Sequence, residues 1–211
     1  MQQAAMGKAG SPTGLRIGAG LVQPQARRAL PDSNADIDSF KNKLVFVGNV
    51  ESGKTTAIES VSDVAPMSTR MPVAIGHTSA KFTLDYTTAR LDDGDWLHIY
   101  GVPGQRHLDF MWPMVCDGAT GILVLVNACD PERLAYTTSM LEEFSRLAPD
   151  ASFTVGVTRS DLASEFRLDE FRHALAAKGF RLPVVKVDTR EPAQVRFLIK
   201  ILLSGRSAGK R

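Results

Sequence analysis

The sequence predicts an α/β fold of three layers, built on a mostly parallel six-stranded sheet with one antiparallel edge strand. Three observations predict it. Short apolar runs alternate with amphipathic segments through the C-terminal half, a glycine-rich turn follows the first apolar run, and a β-hairpin stands where a uniformly alternating chain would place a helix. Apolar strands between amphipathic helices indicate a sheet that helices cover on both faces.

The glycine-rich turn carries the clearest chemistry. Residues 44–47 are an apolar run that predicts a strand, and residues 48–55 fit Gly-x-x-x-x-Gly-Lys-Thr. A helix-like segment follows, and this is the context that a phosphate-binding P-loop requires. Glycines let the backbone curl so that successive N–H groups and a helix N-terminus point at one anion. Lys54 is predicted to reach the β- and γ-phosphates and to act in catalysis, and Thr55 to ligate Mg²⁺. The predicted nucleotide contacts of this turn are Gly48, Val50, Glu51, Ser52, Gly53, Lys54, Thr55 and Thr56.

The segment after the P-loop helix is predicted to be mobile. Residues 67–80 mix Pro, Gly and polar side chains, which predicts a long loop that closes over phosphate. Residues 82–90 and 96–100 then predict two strands joined by the turn Asp92-Asp93-Gly94, in which glycine supplies the left-handed backbone.

A second motif follows this hairpin. Residues 100–105 read Tyr-Gly-Val-Pro-Gly-Gln, at a spacing from the P-loop that places them beside a γ-phosphate. Gly104 is predicted to donate its N–H to that phosphate and Gln105 to orient the attacking water. The helix-like segment at residues 106–116 carries Phe-Met-Trp at residues 110–112, which either forms an exposed apolar patch for a partner or packs against the hairpin.

The C-terminal half is predicted to alternate strands and helices. Strands are predicted at residues 121–126, 153–157 and 184–187, and helices at residues 134–147, 168–178 and 192–203.

Thr158-Arg159-Ser160-Asp161 closes the second of these strands and is similar to the guanine motif [Asn/Thr]-Lys-x-Asp. The Asp161 carboxylate can accept both guanine N–H donors, and adenine offers no such pair, so a mismatched base leaves polar groups unpaired. The alternative is that Asp161 is an ordinary helix N-cap. The predicted base contacts are Thr158, Arg159, Asp161 and, after the next strand, Asp188 and Thr189.

With these motifs in place, residues 42–203 resemble the small Ras-like GTPases of bacteria, the class that contains the gliding-polarity GTPase MglA and the GTPases encoded beside Roadblock-domain proteins. The resemblance implies a P-loop NTPase with a Ras-like fold that binds GTP or GDP with Mg²⁺. It also implies slow intrinsic hydrolysis of GTP to GDP and phosphate, which an activating protein accelerates. Signalling would pass through regulatory and effector proteins, with Roadblock-domain proteins among the candidates.

The sequence departs from that family at the metal site. Gly101 stands where most Ras-like proteins have the aspartate that holds Mg²⁺ through water, and Asp85 on the neighbouring strand is a candidate substitute. The position of the switch threonine is ambiguous, with Thr78 and Thr83 as the nearest hydroxyls. We predict Thr55 and Thr83 as the metal ligands.

These departures keep other functions open. Gly101, together with Lys81 at the aligned switch position, allows a nucleotide-bound interaction scaffold with little or no hydrolysis. Arg159 replaces the lysine of the guanine motif, although either side chain can lie along a purine face. A third hypothesis, an ATP-dependent enzyme such as a kinase, needs Asp161 to be only a helix cap.

Composition predicts one globular domain with extensions. The chain has 211 residues, a net charge of +2 and 44% apolar residues, a balance that indicates neither a nucleic-acid partner nor an integral membrane segment. Glycine and proline predict a disordered extension at residues 1–38, or a docking arm that folds on a partner. Residues 39–204 would be the GTP-binding domain and residues 205–211 a basic tail. Two cysteines without metal-ligand spacing predict a cytoplasmic protein, which a partner can recruit to a membrane.

Overall fold

The computed structural model of the protein describes residues 42–75, 78–91 and 94–208, and these residues form a seven-stranded sheet with helices on both faces. The strands are β1 (Lys43–Gly48), β2 (Met67–Ile75), β3 (Thr78–Arg90), β4 (Trp96–Pro103), β5 (Gly121–Asn127), β6 (Ser152–Thr158) and β7 (Val184–Lys186). The helices are α1 (Lys54–Val61), α2 (Trp112–Cys116), α3 (Arg133–Leu147), α4 (Leu168–Ala177) and α5 (Pro192–Ala208), with a 3₁₀ helix (Arg106–Met111) ahead of α2.

The predicted α/β class is confirmed, and the sheet has one strand more than predicted. Its order is β2-β3-β4-β1-β5-β6-β7, with parallel pairing from β4 through β7 and antiparallel pairing of β3 with both β2 and β4. Strands β1 and β5 lie at the centre and are almost wholly buried, as expected where helices cover both faces of a parallel sheet.

The extra strand is the segment that the sequence predicted as a mobile loop. That prediction is wrong for Met67–Ile75, which pairs with β3 along its whole length, and for residues 78–80, where β3 begins. Its mixed composition carries no strand signal, because strand formation depends on pairing with a neighbour more than on intrinsic preference. Pro72 is compatible with this assignment because β2 is an edge strand, where a missing N–H need not break the sheet.

The predicted hairpin is confirmed. Strands β3 and β4 pair antiparallel from Arg90 opposite Trp96 to Asp85 opposite Gly101. Gly94 has φ +92°, the left-handed backbone expected at this turn, whereas Asp92 and Asp93 lie outside the described residues.

The sheet separates two apolar cores. Val45 and Val47 face α2, α3 and α4, and Leu44 and Phe46 face α1 and α5. Each fully buried side chain of this size contributes about 1.5–3 kcal/mol relative to exposure. The two cores fix the helices on the sheet, and the carboxyl ends of the parallel strands meet at one edge, where ligands bind in open α/β sheets.

The last helix confirms the predicted apolar stripe and extends past the predicted end. Val195, Leu198, Ile199 and Leu202 are buried at spacings of three and four residues. Because α5 continues to Ala208, part of the predicted basic tail is helical.

The predicted extension at residues 1–38 lies outside the described residues. Within the described ranges, no helix combines the length and apolarity needed to cross a membrane.

Candidate functional site

The P-loop connects β1 to α1 with a backbone that its sequence requires. Gly53 has φ +82°, a conformation that glycine adopts without strain. A Cβ at Gly53 would also come within 2.8 Å of the Thr189 hydroxyl, and one at Gly48 within 2.1 Å of the Ser52 hydroxyl. The first N–H groups of α1 have no acceptor within the helix and open toward this turn. The geometry is therefore that of an anion cradle at a helix N-terminus.

Ser52 adds a spare donor to this cradle. Its residue is buried, and among the described atoms its hydroxyl has no hydrogen-bond partner. Buried hydroxyls are normally paired, so an unpaired hydroxyl inside the P-loop fits a ligand that brings acceptor oxygens. This observation comes from the packing and not from the motif, which specifies no residue type at position 52.

An ion pair between a partly buried lysine and a buried carboxylate lies beside the P-loop. Lys54 Nζ donates to Asp85 Oδ2 at 3.0 Å, and Ser68 Oγ donates to Asp85 Oδ1 at 2.8 Å. Asp85 Oδ2 also lies 3.5 Å from Thr55 Oγ1. The Asp85 residue is only 3% exposed. The structure therefore brings a carboxylate to the two P-loop side chains predicted to act on phosphate and metal.

Gly101 explains how this carboxylate fits. Asp85 on β3 lies opposite Gly101 on β4. A Cβ at Gly101 would come within 2.4 Å of Ile58 Cδ1 and within 3.1 Å of Asp85 Cβ, so any side chain there would displace its neighbours. The carboxylate missing from β4 thus has a counterpart on the adjacent strand, and glycine leaves the space for it.

The base motif is attached directly to the P-loop. Thr158, at the end of β6, is buried, and its hydroxyl lies 3.1 Å from the Ser52 carbonyl and 3.3 Å from the Val126 carbonyl. This contact joins residues far apart in the sequence and connects the predicted base motif to the P-loop.

We expect Thr158→Val to lower nucleotide affinity about tenfold, because the isosteric change removes this hydroxyl contact and frees the Ser52 carbonyl. Titration of a fluorescent GDP analogue measures it. Thr154→Val, which removes a buried hydroxyl without a described partner on the same strand, is the matched control and should leave affinity unchanged. Equal affinity of Thr158→Val and the parent protein would contradict the proposed link.

Two adjoining clefts contain nearly all the predicted site residues. One, of about 490 Å³, is lined by the whole P-loop and by Gln105. The other, of about 560 Å³, has the size of a small-molecule pocket. Both clefts include Gly53, Thr56 and Arg159. The second cleft holds all the predicted base contacts, which are Thr158, Arg159, Asp161, Asp188 and Thr189.

The alternative prediction, that Asp161 is an ordinary helix N-cap, is wrong. The next helix, α4, begins at Leu168, and its N-cap is Arg167. Asp161 is exposed and faces the second cleft. Its carboxylate therefore caps no helix there and is available to a ligand.

Arg190 was not among the predicted site residues. It lines the second cleft, and its guanidinium makes a two-point contact with Asp188, with Nη2 to Oδ2 at 2.7 Å and Nε to Oδ1 at 2.9 Å. These hydrogen bonds lower the pKa of Asp188 to about 2, so it stays ionised. Arg190 also interacts electrostatically with Asp161. Its sequence signal was its position directly after Asp188 and Thr189, the two predicted base contacts of the same loop.

Arg159 bridges the two clefts. It has φ +53°, which is uncommon for a residue with a side chain, and its guanidinium lies 3.7 Å from the Glu51 carboxylate on the P-loop. Both side chains are exposed, so the pair contributes little to stability. The position of Arg159 matters more, because the residue lines both clefts.

The Pro-Gly-Gln segment contacts the P-loop from the other side. Gly104 N–H donates to the Gly48 carbonyl at 3.1 Å, and the Trp112 indole donates to the Pro103 carbonyl at 3.1 Å. The predicted helix that follows is divided into the 3₁₀ helix and α2. Of the Phe-Met-Trp triplet, Met111 and Trp112 are buried and Phe110 is 52% exposed.

Part of the predicted metal site is outside the described side chains. Thr83 lies in β3, paired with Arg70 of β2, but its side chain is not described, nor are those of Thr78 and Lys81. In the described part of the chain, no three His, Cys, Asp or Glu side chains cluster as a metal site.

The chain has the fold of a P-loop GTPase G domain. The solved structures it resembles include the G domain of the FeoB iron transporter of T. maritima, with a TM-score of 0.56 and 14% identity over 77% of this chain and 97% of that chain. At this identity the likeness concerns the fold. No protein-family model matches the sequence. No curated protein matches it either.

Proposed function

We propose that this protein is a GTP-binding switch that hydrolyses GTP to GDP and phosphate and signals through partner proteins. The observation that carries the proposal is the placement of a P-loop and a guanine-type motif around two adjoining clefts, joined by the Thr158 to Ser52 hydrogen bond. A triphosphate would occupy the first cleft and a base the second.

On the phosphate side, the chain supplies charge and donors. Lys54 and the first amides of α1 would hold the β- and γ-phosphates, with the orphan Ser52 hydroxyl as a further donor. Lys54 would have to share its charge between phosphate and Asp85, because its amine is already bonded to that carboxylate. Charge-assisted hydrogen bonds of this kind are about twice as strong as hydrogen bonds between neutral groups.

The donor set beside the P-loop fits Mg²⁺. Thr55 supplies a hydroxyl and Asp85 a carboxylate 3.5 Å away, and Mg²⁺ in nucleotide sites takes few protein ligands besides phosphate oxygens and water. We propose these two residues, with Thr83 as a third. When bound, the ion would neutralise charge that develops on the phosphates.

On the base side, Asp161 would accept the two guanine N–H donors. The Arg190 guanidinium, held by the ionised Asp188, would present donors toward the guanine oxygen, since arginine pairs well with guanine acceptors. Thr189 would pack against Gly53 below the ribose, and Arg159 would cover one face of the base.

Hydrolysis is assigned to Gln105. Its side chain lines the phosphate cleft next to Gly104, where it can align water for attack on the γ-phosphate. We expect Gln105→Ala to keep GTP and GDP affinity within about twofold and to slow phosphate release about 10- to 100-fold, because positioning is lost and binding is not. Single-turnover phosphate release measures the rate.

Asp109→Ala, an exposed change on the neighbouring 3₁₀ helix, is the matched control and should release phosphate at the parent rate. Release that is unchanged in Gln105→Ala would remove this residue from the mechanism. A parent protein that binds GTP and releases no phosphate would support the second candidate, a nucleotide-bound scaffold. The observation that favours that candidate is the Gly104 N–H, which is bonded to the P-loop carbonyl of Gly48.

Regulatory and effector proteins are proposed as partners, and Roadblock-domain proteins are a candidate class. The support is an exposed apolar pair, Phe110 and Met114, which lie four residues apart in the segment after Gln105. Large apolar side chains of this kind are common in protein interfaces. The free thiols of Cys116 and Cys129 fit a reducing compartment, so we propose a cytoplasmic location with recruitment to membranes through a partner.

A further inference from the structure

Tyr136 of α3 packs directly against the Pro-Gly-Gln segment. A Cβ built on Gly104 would lie 1.9 Å from the Tyr136 hydroxyl oxygen and 3.0 Å from Cζ, so the phenol occupies the space beside this glycine. The hydroxyl is buried and has no hydrogen-bond partner among the described atoms. Neither the P-loop nor the base motif accounts for this contact.

The surrounding loop is held on several sides. Gly104 N–H donates to the Gly48 carbonyl, and the Trp112 indole fixes the Pro103 carbonyl. Arg106 Nη2 donates to Ser139 Oγ at 2.5 Å. Ser139 lies three residues after Tyr136 and therefore on the same face of α3. One face of α3 thus anchors the loop while presenting an unpaired hydroxyl to its central glycine.

An unpaired buried hydroxyl costs free energy in this arrangement. Burial raises the pKa of the Tyr136 phenol, so it remains a neutral donor. Buried polar groups without a partner call for an explanation, and one explanation is a second state in which the partner is present. The neighbour that can change is Gly104, because its single N–H cannot serve both the Gly48 carbonyl and a γ-phosphate.

We propose that Tyr136 is a positioning residue that favours the γ-phosphate-bound state. In that state the Gly104 N–H donates to the γ-phosphate and no longer to the Gly48 carbonyl. The Tyr136 hydroxyl then gains a main-chain acceptor in the Pro103–Gly104–Gln105 loop. The inference rests on the proposed function and adds a residue that distinguishes GTP from GDP. GDP has no γ-phosphate to draw the Gly104 N–H away, so Tyr136 contributes nothing to its binding. A ligand shifts such an equilibrium only through its differential affinity for the two states.

Tyr136→Phe tests this directly, with a non-hydrolysable GTP analogue and GDP as probes on the full chain. We expect the affinity for the GTP analogue to fall about three- to tenfold, the size of one net hydrogen bond, while GDP affinity stays within about twofold. The unfolding midpoint without nucleotide should be unchanged or higher, since the lost hydroxyl is unpaired in that state. A merely structural tyrosine would give a lower midpoint and an equal loss for both nucleotides.

Thr138→Val is the matched control. It removes another buried unpaired hydroxyl from α3, two residues away and therefore on a different face. It should leave the ratio of GTP-analogue to GDP affinity unchanged. An unchanged ratio in Tyr136→Phe would overturn the inference while leaving the proposed function intact, whereas a parent protein that binds neither nucleotide would overturn both.

A second measurement tests the contact without nucleotide. Gly104→Ala would place a methyl group against the Tyr136 hydroxyl and should lower the unfolding midpoint. Adding Tyr136→Phe to Gly104→Ala should recover part of that loss, because the closest contact disappears; coupling of this kind is typical of touching residues. If Tyr136→Phe changed the midpoint equally in the parent protein and in Gly104→Ala, the two residues would not touch, and the proposal would be overturned.

Discussion

Lys54→Ala should lower affinity for GTP and GDP by at least about 100-fold and should also destabilise the nucleotide-free protein by about 3 kcal/mol. The first effect follows from the loss of charge-assisted hydrogen bonds to two phosphates. The second follows because Asp85 would be left as a buried carboxylate without its cation, and breaking one side of a buried pair is strongly destabilising. Nucleotide titration and urea unfolding measure the two effects separately.

The double variant Lys54→Ala with Asp85→Asn separates the roles of the pair. Removing both charges should restore most of the stability, because no unpaired charge remains buried, and should not restore nucleotide binding. Asp85→Asn alone should weaken the Mg²⁺ dependence of GTP affinity. Tight Mg²⁺-dependent binding by Lys54→Ala would contradict the P-loop assignment. Unaltered Mg²⁺ dependence in Asp85→Asn would remove Asp85 from the metal site.

Asp161→Ala should abolish the preference for guanine. We expect the parent protein to favour GTP over ATP by at least about 1,000-fold and the variant by less than about tenfold, because sites built to pair with a polar group reject bases that lack it. Competition of GTP and ATP against a fluorescent GDP analogue measures the ratio in both proteins.

Asp169→Ala on α4 provides the control for Asp161→Ala, since its carboxylate is exposed and contacts Arg172 outside either cleft. It should leave the ratio of GTP to ATP affinity unchanged. A parent protein that prefers ATP, or an Asp161→Ala variant that still prefers GTP as strongly as the parent, would contradict the guanine assignment.

The parts of the fold that local patterns determine were predictable from sequence. The alternating apolar strands and amphipathic helices, the hairpin and the left-handed Gly94 all depend on short stretches of chain, and the structure confirms them. Strand β2 was not predictable because its identity depends on pairing with β3. The loop-like composition of residues 67–75 is outweighed by the hydrogen bonds that this pairing supplies.

The site shows the same division. The P-loop and base motifs are recognisable in the sequence by residue type and spacing. The Asp85 carboxylate reaches Lys54 only because β3 and β4 pair in a particular register, and the Tyr136 contact with Gly104 depends on how α3 packs. The hydrogen bond from Thr158 to Ser52 likewise joins distant parts of the chain. No local pattern contains these relations, since they arise from tertiary packing.

The most direct test of the central claim is equilibrium binding of fluorescent GTP, GDP and ATP analogues to the full chain, with and without Mg²⁺, followed by phosphate release from unlabelled GTP over hours. The proposed switch predicts tight, guanine-specific binding, a Mg²⁺ requirement for full GTP affinity, and slow but measurable release. A preference for ATP, or no binding of either guanine nucleotide, would contradict it.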